Sequence, residues 1–575
     1  MFGRVNKADR EAAIQKDMQE LHKMGYAQEL FREMGGFSNF AISFSIISIL
    51  TGAILLYGYG LKFAGPIINT VGWPLVSILT WTVAASMAEM ASAFPTAGGL
   101  YYWAYRLGGR GWAWVTAWLN MLGQITITAG INVAAAIYIV GMLQLIFGFG
   151  DDAAIPLFGT VTSWGFYIFV MVLIMIPQVM INAFGIRLTA KLNDFSVYWH
   201  IIGVLVIAFL LTVFGKYHND MGFVFQAVST VKPGDGAEVF MIGGLEVQSI
   251  WFRIIPGLQG LYDSTVLVPF SILAFALALL QAQWTYTGYD ASAHVAEETV
   301  LARLNSAWGV FLSVFVSSIV GYIVLMALTF AIPNGDIEAT ANAAYPVLYI
   351  AQENLAPFLA NVIGVIIAVA MWLCGLASIT SMSRMWFAFA RDDGMPGANY
   401  IKKVSHTWRT PVHSIVVTSI IAVLICVYAS AFYVVTSISV MALYLAYGIP
   451  TFLNLRKGRK FTKTKELAPW NLGKWGTPIN VISLVWILIL TVLFSLPPNE
   501  LAGWTMIVLA VFLVIYWFAS EKRRFTGPRL MTAQELADIE GEFAVPGGVV
   551  VPDVESQPVV VAKSDPAVPD ASKSE

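Results

Sequence analysis

Continuous apolar runs of about twenty residues recur along most of the chain, separated by short polar or charged connections. A helix of about twenty residues crosses a hydrocarbon core roughly 30 Å thick, so each run predicts a membrane-spanning helix. About twelve runs stand out: 37–61, 72–93, 113–147, 164–184, 196–214, 266–296, 307–332, 357–389, 413–430, 435–455, 480–496 and 501–520. Spanning barrels would instead show alternating runs of about ten residues, so the chain reads as an all-α polytopic membrane protein.

Two runs are interrupted. In the first, Ser43, Ser45, Ser48, Thr51 and Gly52 stud an otherwise apolar helix. In the sixth, the stretch from Trp284 through Thr285, Tyr286, Thr287, Gly288, Tyr289 and Asp290 to His294 is too polar for a helix facing lipid. An unwound turn survives at membrane depth only where protein or a wet cavity surrounds it. Matched breaks five spans apart point to an inverted-repeat carrier, whose half-helix ends bind solute near the midplane. The competing reading is that Ser, Thr and Gly serve close helix packing.

Composition narrows the class. Of 575 residues, 58% are hydrophobic and 12% charged, and the mean hydropathy is +0.71. That excludes a soluble globule, a disordered chain and a disulfide scaffold. A net charge of −2 gives no case for nucleic acid. Cys374 and Cys426 sit in apolar runs and suggest no metal or redox pair, so neither metal nor cofactor is expected. With the N-terminus inside, 29 of the 33 basic residues fall in cytoplasmic segments, leaving Lys62, Lys216, Lys232 and Arg253 outside. This predicts a multi-pass protein of the cell membrane with both termini cytoplasmic. No apolar h-region precedes residue 37, so no cleaved signal is expected.

The sequence outside the spans divides into a cytoplasmic arm (1–36), an external loop (215–265), a basic cytoplasmic loop (456–479) and a cytoplasmic tail (521–575). The Pro- and Gly-bearing external segment reads as a loop or short-strand cap, and the tail from about Phe543 as disordered. Ionisable residues within spans are functional candidates by default: Glu89, His200, Asp290, His294, Glu297 and Glu298. For Glu89, Glu297 and Glu298 the plainer reading is a solvated or salt-bridged helix end. The run from His294 to Glu298 lacks the second histidine of a zinc-protease helix. Phosphate-cradling and nucleophile-elbow motifs are missing too, so an enzyme is not expected.

Several long motifs, in order, resemble the amino acid–polyamine–organocation superfamily and within it the amino acid/choline transporter group. They are the stretches from Met34 to Ser45, Tyr57 to Gly60, Ala88 to Trp103, Gln283 to Asp290 with Ala296 to Thr299, and Ser383 to Pro396. The resemblance implies a secondary carrier with a core at 37–455, built from two inverted five-helix repeats (37–214 and 266–455), and two peripheral helices (480–520). It implies an amino acid or amine substrate such as 4-aminobutyrate. Choline and polyamine carriers of the same group, and sodium coupling, are the alternatives, with a sensor or a channel more remote.

Expected substrate contacts are Ser48, Ile49, Leu50, Thr51 and Gly52, unwound and holding a carboxylate, with Trp284, Thr285, Thr287 and Gly288 near the amine. Trp372, Tyr286 and Tyr289 are further aromatic candidates for an ammonium. Asp290 is expected to serve as inner gate or amine waypoint, against a plainer reading as a helix-capping Asp. Cationic amino acid carriers of the superfamily place a Lys seven residues after an Asn in the fifth span. Here Asn193 plus seven gives His200, which titrates in the physiological range, so proton coupling is expected. Ser378, Thr380 and Ser381 are implied, by resemblance to the sodium site of this fold, to lie opposite it.

Overall fold

The computed structural model describes residues 7–232, 239–242, 245–255, 257–266, 268–428, 432–528 and 531–542. Among them, 10 helices are long and apolar enough to cross a membrane. The shorter apolar helices Ile272–Thr285 and Val412–Val427 complete the predicted twelve, numbered here as spans in chain order. The third, Arg110–Phe147, has 38 residues and is about 57 Å long. It is therefore longer than the hydrocarbon core is thick.

Burial separates centre from periphery. In the most apolar stretch, 89% of residues are buried in the first and tenth spans, against 22% in the fourth and 28% in the twelfth. The seventh span, Ala302–Phe330, packs along the second, Trp73–Ala93, and the eighth, Pro357–Arg391, along the third. Contacts are close: the Trp73 indole donates to the Ser318 carbonyl at 2.9 Å, and a Cβ on Gly321 would lie 2.2 Å from its ring.

The first span is three helices, Gly36–Ile47, Ile49–Leu55 and Tyr57–Ala64. Between Ser48 and Gly52 only Ser48 leaves the helical path, with φ 26° and ψ 87°; the second interruption is at Leu56, with φ −87° and ψ 7°. This corrects the expected unwinding from Ser48 to Gly52. The Ser48 carbonyl at once accepts the Thr51 and Gly52 N–H groups, at 2.8 and 3.0 Å, so a new helix starts immediately.

The sixth span breaks over a longer stretch: the helix ends at Thr285 and resumes as Ala291–His294, followed by a single turn at Ala296–Glu298. Gly288 has φ +79°, and a Cβ there would lie 2.4 Å from Ile46. Glycine is needed both for the turn and for the approach of the first span.

The external segment carries the antiparallel pair Val239–Ile242 and Leu245–Gln248 and helices Ile250–Ile254 and Leu258–Val266, more helix than the sequence suggested. Its predicted Pro233–Gly236 and Gly243–Gly244 turns, and the tail from Phe543, lie outside the described residues. The tail nevertheless begins with an ordered helix, Ala533–Glu542. Glu540 on that helix accepts the Gln28 N–H at 2.8 Å and contacts His22 at 2.7 Å, fastening it to the N-terminal arm.

Candidate functional site

The two breaks meet. Gly52 lies so close to the sixth span that a Cβ would stand 2.5 Å from Thr285 Oγ1 and 2.8 Å from Thr285 Cα. Around this crossing Ile46, Ile47, Thr51, Gly52, Ile127, Ile131, Trp284, Thr285 and Thr287 line a cavity of about 10 Å³, measured to the centre of a water molecule. That is room for roughly one water, so an amino acid fits only after the surrounding helices part. Ile49 and Leu50 sit in the first turn of a half-helix, where backbone N–H groups have no acceptor within the helix. In the sixth-span break, Tyr444 donates to the Tyr286 carbonyl at 2.7 Å and Ser43 to the Tyr289 carbonyl at 2.8 Å. Thr287 Oγ1 donates to the Trp284 carbonyl at 2.5 Å. The break is thus held open by side chains from the first and tenth spans.

His200 of the fifth span, Ile186–Phe214, reaches the first break directly. Its Nε2 lies 2.8 Å from Ser48 Oγ, which is 2.6 Å from Thr51 Oγ1, and its Nδ1 lies 2.8 Å from the Ser196 carbonyl. These bonds offset the strain of a non-glycine residue at positive φ.

Two groups of predicted residues lie elsewhere. Ser378 donates to the Gly375 carbonyl, and Thr380 to Asn182 of the fourth span at 2.6 Å. The imidazole is therefore met by Ser48, a partner sequence reasoning did not supply, rather than by this hydroxyl set; Ser381 is buried on the same helix. Trp372 donates its indole N–H to the Ile174 carbonyl of the fourth span at 3.2 Å and is absent from the cavity wall. Tyr286 shares a 2.6 Å bond with Ser77 and packs on Trp73.

Asp290 is fully buried, and its side chain does not cap the helix that follows. Asn120 and Gln124 of the third span donate to Oδ2 at 3.0 and 2.9 Å, Tyr447 of the tenth donates to Oδ1 at 2.9 Å, and His294 Nε2 lies 3.1 Å from Oδ2. With both oxygens engaged, the carboxylate is closed to a substrate amine in this conformation.

Below it, on the face bearing the N-terminal arm, three ion pairs bear out the salt-bridged form of the plainer reading of these helix ends, buried rather than solvated. Arg391 makes a two-pronged contact with Glu297 at 3.0 and 2.9 Å, Arg384 meets Glu298 at 2.9 Å, and Arg459 meets Glu89. All three carboxylates are buried. The arm is stitched to the same place: Arg32 donates to the Ala296 and Thr299 carbonyls, and Met34 forms a parallel bridge to Thr299. The distance along the chain between these partners leaves no local sequence signal for them.

Glu29 on the arm is pushed up to about 7 by burial, with Arg391 3.8 Å away opposing and Glu297 reinforcing the shift. The folded protein thus binds a proton more tightly than the unfolded chain, whose carboxyl titrates near 4.5. Stability therefore falls as pH rises through that interval, by no more than about 3 kcal/mol. Thermal unfolding of purified protein across this range should show the fall in wild type and a flatter profile in Glu29→Gln.

A broken first and sixth helix clasped around a small cavity define a membrane carrier. The chain matches the amino acid permease family over residues 34–519 and belongs to that family. It is 32% identical to "Amino-acid permease BAT1" of Arabidopsis thaliana, over 88% of this chain and 95% of that protein. It is 27% identical to the "GABA-specific permease" of Saccharomyces cerevisiae, over 95% and 91%. It is 25% identical to a "Putative polyamine transporter" of Candida albicans, over 96% of each. The protein is thus a multi-pass membrane permease for amino acids or amines, and the family is one of transporters rather than enzymes.

Proposed function

We propose that this permease imports an amino acid-like amine, such as 4-aminobutyrate, by alternating access and in symport with protons. The observation that carries this reading is a cavity shared by Thr51 and Gly52 on one side and Trp284, Thr285 and Thr287 on the other. The carboxylate binds the Ile49 and Leu50 N–H groups at the positive end of the Ile49–Leu55 half-helix. The ammonium meets the Thr285 and Thr287 carbonyls and the Trp284 face, with Gly288 allowing the turn. Asp290 serves as inner gate. The repeats 37–214 and 266–455 rock against one another, and the face with most basic residues is cytoplasmic, at the cell membrane.

Both ends of the solute are needed in this reading, which separates it from a choline or polyamine carrier. Uptake of radiolabelled 4-aminobutyrate into proteoliposomes should resist competition by the amine lacking a carboxylate and by the acid lacking an amine. Full competition by the amine alone would overturn the carboxylate assignment.

His200 carries the coupling proton. A carbonyl can only accept, so Nδ1 holds a proton against Ser196 and Nε2 accepts the Ser48 hydroxyl. Protonation of Nε2 reverses that bond and turns the Ser48 hydroxyl towards Thr51, at the carboxylate end of the cavity. His200→Gln should lower accumulation driven by a pH gradient by about tenfold or more. Sodium-driven accumulation by wild type, or intact pH-driven accumulation by the variant, would contradict this role.

A further inference from the structure

His294 is four residues beyond Asp290, one helical turn away, and neither side chain has exposed surface. Its Nδ1 lies 2.9 Å from the Ala97 carbonyl and its Nε2 lies 3.1 Å from Asp290 Oδ2. The carbonyl has no proton to give, so Nδ1 carries one. Oδ2 already receives amide N–H groups from Asn120 and Gln124, and Oδ1 receives the Tyr447 hydroxyl. A second proton must therefore lie between Nε2 and Oδ2. It belongs either to an imidazolium facing a carboxylate or to a carboxylic acid facing an imidazole, and both descriptions contain the same atoms and no net charge. Without it, two lone pairs face each other and one uncompensated negative charge is left in a dry site.

The surroundings supply no substitute for that proton. Among the described residues, Tyr447 from the tenth span touches the pair, with Tyr289 of the same span as the pair and Tyr444 of the tenth packed behind it, and the third span contributes only neutral amides. A charged group lies across Ala97. The Ala97 carbonyl takes His294, its N–H donates to Glu297 Oε1 at 3.0 Å, and Glu297 is held by Arg391. Gly99 lets this loop approach, since a Cβ there would lie 3.2 Å from the imidazole. The pair is thereby connected, through one residue of the loop between the second and third spans, to the ion pairs that close this face.

We propose that Asp290 and His294 form a second proton-binding site, distinct from His200, whose shared proton fixes the imidazole against Asp290 and thereby keeps its Nδ1–H on the Ala97 carbonyl of the 96–99 loop, holding the inner gate closed. This rests on the carrier reading and extends it. Loss of the proton to the cytoplasmic side leaves a neutral imidazole whose Nε2 lone pair faces the Oδ2 lone pairs of a carboxylate; the ring turns away from Asp290, which carries its remaining Nδ1–H off the Ala97 carbonyl and lets the segment from Ala291 to Glu298 swing away. The step transfers one proton to water and breaks no covalent bond apart from the N–H or O–H that held it.

The test uses the full chain in proteoliposomes: wild type, Asp290→Asn, His294→Gln and the double variant. Accumulation of 4-aminobutyrate under a pH gradient is compared with solute exchange at equal pH, and infrared difference spectra between low and high pH are recorded without solute. His294→Gln should lose accumulation by about tenfold or more yet retain exchange, because exchange needs no net proton release. The double variant should accumulate no less than either single one, since the two residues share one proton. In the infrared spectra, the aspartate and imidazole signals should titrate together in wild type, and either substitution should remove both. Normal accumulation by His294→Gln, or independent titration of the two groups, overturns the site. Loss of exchange together with accumulation, with the infrared signals unlinked, reduces the pair to packing and also overturns it. If wild type moves none of the solutes tried, the carrier reading fails while the infrared result still decides the proton site.

Discussion

Replacing Gly52 with leucine should abolish uptake while leaving insertion into the membrane intact. The substitution keeps the first span apolar, so nothing in its partitioning changes. What changes is the crossing of the two breaks. A Cβ at position 52 would fall 2.8 Å from the Thr285 backbone Cα, and a backbone atom cannot rotate out of the way. The first and sixth spans must then separate by an ångström or more, which displaces the Ile49 and Leu50 N–H groups from the Thr285 and Thr287 carbonyls. Misplacement on that scale costs about a hundredfold in rate where two ends of a ligand must be held at once. Uptake normalised to surface abundance measures the effect. Undiminished uptake would remove the cavity from the transport path.

Arg459→Met should strongly destabilise the folded protein. Glu89 is fully buried at the end of the second span; it accepts the Leu472 N–H at 2.9 Å and pairs with Arg459, which also donates to the Gly473 carbonyl at 2.7 Å. Methionine fills the space left by the stem but leaves a carboxylate with no counter-charge in a dry site. Breaking a buried pair from one side costs about 3–5 kcal/mol. The double change Glu89→Gln with Arg459→Met should recover much of that loss, because no lone charge remains. Thermal unfolding midpoints in detergent distinguish these outcomes, and equal midpoints for the single and double variants would deny the pair its role.

Much of the fold was legible because lipid imposes a simple rule: a run of apolar residues must become a helix. The sites of both breaks were legible too, since Ser48, Gly52, Thr287 and Gly288 are costly in a lipid-facing helix. Their extent was not. A single serine suffices to redirect the first span, because its carbonyl starts the next helix at once. Trp372 was misplaced because the stretch around it, from Val362 to Ala377, is apolar on every side, so no periodicity tells which face meets the fourth span and which the cavity. Asp290 stood out by its burial cost, but its partners Asn120, Gln124 and Tyr447 are read only from three dimensions. The same holds for Glu540, whose contacts with Gln28 and His22 join segments more than 500 residues apart.

The central claim is that the chain drives an amino acid-like amine across the membrane with a proton gradient. The most direct measurement is net uptake of radiolabelled 4-aminobutyrate and related amino acids into proteoliposomes, with an imposed pH gradient, an imposed sodium gradient, or neither. The account predicts accumulation above the external concentration under the pH gradient alone, abolished by a protonophore. Accumulation driven by sodium, or mere equilibration under every gradient, would contradict it.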